Sequence, residues 1–295
     1  MNHPGPSRSR RLKWQYPVIA VIAAGAAGFG LLHSTATTPA AATSAKKPGA
    51  TDKIKADPPP VLFTDAQVAD IARQQAAQQH SADALFATWK AAHGSTRDDK
   101  AFTTWAIAQV PAPPSKAART TELHQVQQLA KTRTAAGKKA ATWLEVHGKG
   151  DIWKLYAHDQ RELLPKEQGG TEKAELKTAL KLAKAITEKV AERDKQPAPY
   201  VLDPALRPDK HVTAGQKGPY SYPSRHAAKS AAAVNLLSGW APHRAHDYQA
   251  MAAQIVYSRL YMAGHVTSDI TAGTLVGDLV GDYFHNASTP PGAGK

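Results

Sequence analysis

Cysteine is absent from this 295-residue chain, which removes disulfide stapling, thiolate metal sites and thiol nucleophiles together. Aromatic residues are scarce, at 7%, and none interleaves with the basic runs at 131–139 and 173–195. Base-stacking platforms for nucleic acid require such interleaving, so these runs read as solvated helix faces and no nucleic-acid partner is expected. Acidic residues number 24 against 37 Lys and Arg, leaving a formal net charge of +13. That balance favours anionic partners such as phosphorylated small molecules or an anionic membrane surface. No alternation of apolar and polar residues persists long enough for a strand, and no internal repeat is present. Outside one N-terminal run, no stretch is apolar enough to cross a membrane.

That run carries an address. Arg8, Arg10, Arg11 and Lys13 precede an uncharged apolar segment at 16–32, followed by a small-residue stretch at 34–45. Basic, then apolar, then small is the order of an export signal. Residues 1–33 are therefore expected to be a signal peptide, with cleavage after Ala42, or an uncleaved transmembrane anchor in the cytoplasmic membrane with its basic end inside. Both place the remaining chain outside the cytoplasm, periplasmic or secreted. Residues 34–60, rich in Ala, Thr, Lys and Pro and ending in Pro58-Pro59-Pro60, read as a flexible linker. The body is expected over 61–286 and a disordered tail over 287–295.

Within the body the pattern is helical. Thr64 and Asp65 offer a cap, and Val68, Ile71 and Ala72 begin an apolar stripe. Leu176, Ala179, Leu180, Ala183, Ile186 and Val190 recur at three- and four-residue steps. Residues 227–240 and 248–262 form two further helical segments, after a long irregular stretch rich in Pro and Gly at 197–223. The expected fold class is all-α, a soluble helical bundle.

Two local patterns carry chemistry. One is Tyr222-Pro223-Ser224-Arg225-His226-Ala227, at a helix start. The other is Ser258-Arg259-Leu260-Tyr261-Met262-Ala263-Gly264-His265, with Asp269 beyond it. Taken singly, Ser224 is a helix cap, Arg259 a surface cation, and His265 with Asp269 a local capping pair. In this order and separation they resemble the second and third motifs of the type 2 phosphatidic acid phosphatase and vanadium haloperoxidase superfamily. Because the body lacks spanning segments, the resemblance is nearest to the class A bacterial non-specific acid phosphatases. It implies an acid phosphatase-like hydrolysis of phosphate esters on small-molecule or lipid-phosphate substrates, with no cofactor or metal. His265 would attack phosphorus to give a phosphohistidine, and Asp269 would fix its tautomer. His226 would protonate the leaving group and then activate water. Arg259, Ser224 and Arg225 would bind phosphate oxygens, aided by the helix N-terminus.

The resemblance has two departures. The superfamily's first motif supplies a Lys and an Arg, but Ala191 and Ala198 stand at the aligned positions. The second motif has Arg225 where glycine is usual. Arg225, with Arg193, Lys195 or Arg207, is the expected substitute for the lost cations. Three alternatives stay open. The chain is an impaired member serving as a phosphate-binding or scaffold protein, a lipid-phosphate phosphatase tethered by its N-terminal helix, or a vanadate-holding haloperoxidase. His243 and His246 form a His-x-x-His pair beside Pro242 with no further ligand at recognisable spacing, so no metal site is expected there.

Overall fold

Polar side chains placed one residue ahead of the helix set several of the helix starts. The computed structural model describes residues 47–161, 166–207 and 220–288; the expected signal or anchor, the start of the linker and the end of the tail lie outside the described residues. Helix α1 spans Ala50–Ala56 and α2 spans Asp65–His93. At α2, Thr64 Oγ1 accepts from Gln67 N and Gln67 Oε1 accepts from Thr64 N, a reciprocal box that satisfies two orphan donors. The side chains of Asp98, Ser115 and Thr134 cap α3 (Asp99–Gln109), α4 (Lys116–Lys131) and α5 (Ala135–His147) by accepting from backbone N–H groups of the first turn, without the reciprocal bond. Next come α6 (Asp151–Arg161), α7 (Lys166–Asp194) and the short α8 (Pro199–Leu202). The bundle is completed by α9 (Arg225–Trp240), α10 (Ala245–Tyr261) and α11 (Thr267–Ser288). Among the described residues the only extended pairing is an isolated bridge between Pro197 and Tyr220, so the fold is all-α, as expected.

The described residues fall within one compact unit that begins at Lys47. Its centre is α11, which packs chiefly on α9 and also on α2 and α7. The apolar stripe of α7 from Leu176 to Val190 is buried, as are Val276, Leu279, Val280 and Phe284 of α11. At about 1.5–3 kcal/mol for each large side chain, this burial is the main stabilising term. The close approach of α9 and α11 has a specific cause. A Cβ at Gly273 would lie 2.3 Å from Ser224 O, one at Gly277 2.2 Å from Ala228 O, and one at Gly281 2.4 Å from the Asn235 Cβ. Glycine every fourth residue on α11, facing the alanines of α9, lets the two backbones nearly touch. That contact sets the second motif against the third.

The linker expected over 34–60 gives way to packed structure in its last part. Residues 50–56 are helical, Ile54 rests on the core, and Lys53 pairs with Asp151 at 3.3 Å. Asp57 O accepts from Trp143 Nε1 at 2.8 Å, and its carboxylate lies 2.9 Å from His147 Nε2. Composition alone reads this stretch as loose because its partners on α5 and α6 are about a hundred residues away. No helix among the described residues is long and apolar enough to cross a membrane.

One group in the core opposes folding. Asp278 of α11 is buried, its Oδ2 lacks a hydrogen-bond partner among the described residues, and Asp282 and Asp83 are its charged neighbours. Burial, then those like charges, hold its carboxyl well above the usual range, while burial lifts Asp282 to about 6. Below the unfolded carboxylate range the group is protonated in both states and costs nothing. As pH rises, only the unfolded chain ionises freely, so native stability falls. Asp278→Asn is therefore expected to raise Tm at pH 7 by about 2–4 °C for each kcal/mol recovered. The gain over wild type should vanish near pH 3. An equal gain at both pH values in thermal melts would refute the titration account.

Candidate active site

The turn between α10 and α11 gathers the third pattern. Helix α10 closes with Gly264 N donating to Arg259 O at 2.9 Å, and Ala263 adopts φ of 53° to make that reversal. Gly264 is needed for a second reason: a Cβ there would sit 2.5 Å from Arg259 Nη2. The guanidinium thus folds back over the turn that presents His265. Three residues into the next helix region, Asp269 Oδ2 accepts from Val266 N at 3.0 Å. It sits in the first turn of α11, where the helix dipole favours negative charge.

His265 is buried, with Nδ1 2.9 Å from Ser221 O and 3.6 Å from Asp269 Oδ2. An Nδ1–H donating to the Ser221 carbonyl leaves the Nε2 lone pair free. The near partner of the ring is thus a backbone oxygen, and the carboxylate stands behind it. Asp269 is tied elsewhere as well, since Oδ1 accepts from Arg119 Nη1 of α4 at 2.8 Å. Burial alone would raise the Asp269 carboxyl, but the bond with His265 and the charges of His265 and Arg119 outweigh it and hold the group below its ordinary range. Burial pushes His265 the other way, toward the free base, and Arg259 reinforces that.

The second pattern meets this turn directly. Ser224 N donates to Asp269 O at 2.8 Å, and Ser224 Oγ caps α9 by accepting from Ala227 N at 3.4 Å. His226, in the first turn of α9, is fully enclosed, with Nε2 3.3 Å from Glu145 O and 3.5 Å from Glu145 Oε2. The same Oε2 contacts Arg259 Nη1. His226 and Arg259 therefore converge on one carboxylate oxygen, although 33 positions separate them in the chain. Burial, followed by the positive charges of Lys149, His265, Arg225 and Lys229, holds His226 well below the ordinary imidazole range. Burial also lowers Arg259 to about 10, and its buried Nε has no partner among the described residues.

Of the cations expected to replace the first motif, only Arg225 borders this neighbourhood; its Nη1 lies 3.6 Å from Glu188 Oε1 and the side chain is partly exposed. Arg193 is committed to Asp194, Ile107 O and Val110 O. Arg207 lies over the Tyr200 ring, and Lys195 is exposed. The cations that do arrive are Lys149, whose Nζ is 2.7 Å from Glu145 Oε1, and Lys229, whose Nζ donates to Lys149 O at 3.0 Å. Burial and then Arg225 lower Lys149, and burial, then Arg225 and the neighbouring lysines, bring Lys229 to about 8. Sequence reasoning missed Glu145, Lys149, Lys229, Arg119 and Ser221. None belongs to a recognisable motif, and the only local signal was the i,i+4 spacing of Glu145 and Lys149.

Among the described residues no group of three or more His, Asp and Glu side chains could hold a metal. A cleft of about 490 Å³ between α4 and residues 196–202 is lined by Arg119 and Val266 but not by His226, Arg259 or His265.

Comparison with known proteins matches residues 176–288 to the model of the PAP2 superfamily. No curated protein matches. Solved structures include a similar chain, described as the first transmembrane PAP2 type phosphatidylglycerolphosphate phosphatase from Bacillus subtilis. Its identity is 15%, covering 63% of this chain and 92% of that one, with a TM-score of 0.42.

Proposed function

We propose that the chain, whose residues 176–288 match the PAP2 superfamily model, hydrolyses phosphate esters through a phosphohistidine on His265. The observation that carries this reading is the convergence of a buried guanidinium and a buried imidazole, Arg259 and His226, on one anionic oxygen, with the same guanidinium folded over the turn that presents His265. In the first step Nε2 of His265 attacks phosphorus while the bond to the leaving oxygen breaks. His226 gives that oxygen its proton. In the second step His226 takes a proton from water, which displaces His265 and releases inorganic phosphate. Asp269 and Ser221 O hold the Nδ1–H tautomer, and Arg259, Ser224 and Arg225 with the α9 N-terminus stabilise the equatorial oxygens. Phosphomonoesters and pyrophosphates are the substrate class, with lipid phosphates included if the N-terminal run anchors the body to a membrane. The basic–apolar–small order of residues 8–45 supports a site outside the cytoplasm.

The purified full chain should hydrolyse p-nitrophenyl phosphate and be inhibited by vanadate. Absence of turnover across acidic and neutral pH would overturn the reading. A second reading, an impaired member that binds phosphate without cleaving it, is favoured by one observation: Ala191 and Ala198 leave the first-motif cations unreplaced from their own segment. Calorimetric binding of phosphate without turnover would select it.

Protonated His226 is scarce at neutral pH because its surroundings disfavour the cation, so activity should rise as pH falls from 7. His226→Ala should remove that rise. It should also slow phosphorylation of His265 by alkyl phosphates about 10²–10⁴-fold, read in a single turnover, but phosphorylation by p-nitrophenyl phosphate far less, since nitrophenolate leaves without a proton. Equal losses in that phosphorylation step would exclude His226 as the general acid.

A further inference from the structure

The seat between Arg259 and His226 is already taken by an anion. Glu145, on the last turns of α5, places Oε2 against Arg259 Nη1 and 3.5 Å from His226 Nε2, and its Oε1 lies 2.7 Å from Lys149 Nζ. A substrate phosphoryl group would call on the same three donors. We propose that the Glu145 carboxylate is a displaceable internal anion that holds the oxyanion seat until a phosphate dianion exchanges for it, and that this exchange selects dianionic phosphomonoesters. The proposal rests on the reading of this seat as the phosphate site.

Three observations indicate that the occupant is provisional. The carboxylate leaves the buried Arg259 Nε without a partner; a planar group with two oxygens under-fills a site that a tetrahedral anion with three equatorial oxygens can satisfy. Glu145 sits near the C-terminal end of α5, where the helix dipole disfavours negative charge. Its Oε2 is buried yet makes no hydrogen bond among the described residues, so charge alone holds it in the seat, and its side chain is 25% exposed against 9% for Arg259 and 4% for His226.

The charge balance gives the selectivity. Arg259 and Lys149 touch the seated carboxylate, Lys229 donates to Lys149 O, and Arg225, 3.6 Å from Glu188, adds positive charge near His226. A single carboxylate leaves this cluster with excess positive charge. A dianion brings one more negative charge than Glu145 removes, whereas a phosphodiester monoanion merely replaces like with like. Monoesters therefore displace Glu145 with a net electrostatic gain and diesters do not. When Glu145 swings out, Lys149 is released to the incoming phosphate, which supplies from α5 and its following turn a cation that the altered first motif lacks.

The test compares the full-length wild type with Glu145→Gln. An internal competitor that fills the seat about 90% of the time lowers apparent affinity about tenfold, so calorimetry should show inorganic phosphate binding roughly tenfold more tightly to Glu145→Gln. KM for p-nitrophenyl phosphate should fall by a similar factor, and the preference for monoester over diester should shrink. Unchanged or weaker phosphate binding would overturn the proposal. So would a collapse of kcat at constant affinity, which would make Glu145 a proton-transfer or positioning group. Should Glu145→Gln lose its helical circular dichroism, Glu145→Asp withdraws the carboxylate by one methylene and should tighten binding about threefold; unchanged affinity there is equally fatal. Tighter phosphate binding with no turnover in either protein would sink the hydrolase reading and leave the internal anion standing. Turnover with identical affinities would do the reverse.

Discussion

Replacing His265 with alanine is expected to lower kcat for p-nitrophenyl phosphate by at least about 10³-fold, because removing a nucleophile closes the two-step route and leaves only binding and electrostatic stabilisation. The loss should be chemical, not structural. His265 donates to Ser221 O at 2.9 Å and faces Asp269 Oδ2 at 3.6 Å, while the α10–α11 turn is closed independently by Gly264 N to Arg259 O and Val266 N to Asp269 Oδ2. A bond of this kind contributes about 0.5–1.5 kcal/mol, so the variant should fold with a small decrease in Tm. An acid-labile phosphoryl label should form on the wild type and be missing from His265→Ala. Wild-type turnover by the variant would exclude the phosphohistidine route.

Arg259→Ala should cost on two counts. Removing one preorganised donor from a charged transition state lowers kcat/KM by about 10²–10³-fold. The guanidinium is also the buried partner of Glu145, and breaking a buried pair by deleting one member destabilises by about 3–5 kcal/mol. Glu145 keeps Lys149 Nζ at 2.7 Å from its Oε1, so the carboxylate stays partly paired and the lower end of the range applies. The two effects separate experimentally, since activity per folded molecule reports the first and Tm the second. If the folded fraction of Arg259→Ala retains wild-type kcat/KM, the guanidinium is a structural brace and does not bind the reacting phosphate.

Much of this organisation is legible in the residues themselves. The helix starts are local chemistry: Thr64, Asp98, Ser115, Thr134 and Ser224 cap with their own side chains. The stripe from Leu176 to Val190 is buried as its spacing requires. Arg259, His265 and Asp269 gather because they flank a single turn, so a linear pattern suffices to bring them together. The linker is the instructive contrast. Its composition is that of a tether, yet residues 50–56 coil once Ile54 and Lys53 find α6 and its surroundings, a contact that no local pattern encodes.

The substitutes for the missing cations show the same limit. Arg193, Lys195 and Arg207 are near the altered motif in sequence, but nearness along the chain carries no direction, and their side chains are engaged or exposed elsewhere. Glu145 comes from α5 and Lys149 from the turn after it, roughly eighty residues upstream of His226, and they enter only because α5 and α9 both pack on α10. By itself, then, the sequence determined the all-helical class, the caps and the short-range grouping of Arg259, His265 and Asp269, since each depends on interactions within a few residues. Only the tertiary structure decided which charges surround His226 and that Glu145 fills the seat beside it. Electrostatics acts through space, and the glycines at 273, 277 and 281 that draw α11 against α9 do so through a packing contact whose partner the sequence does not name.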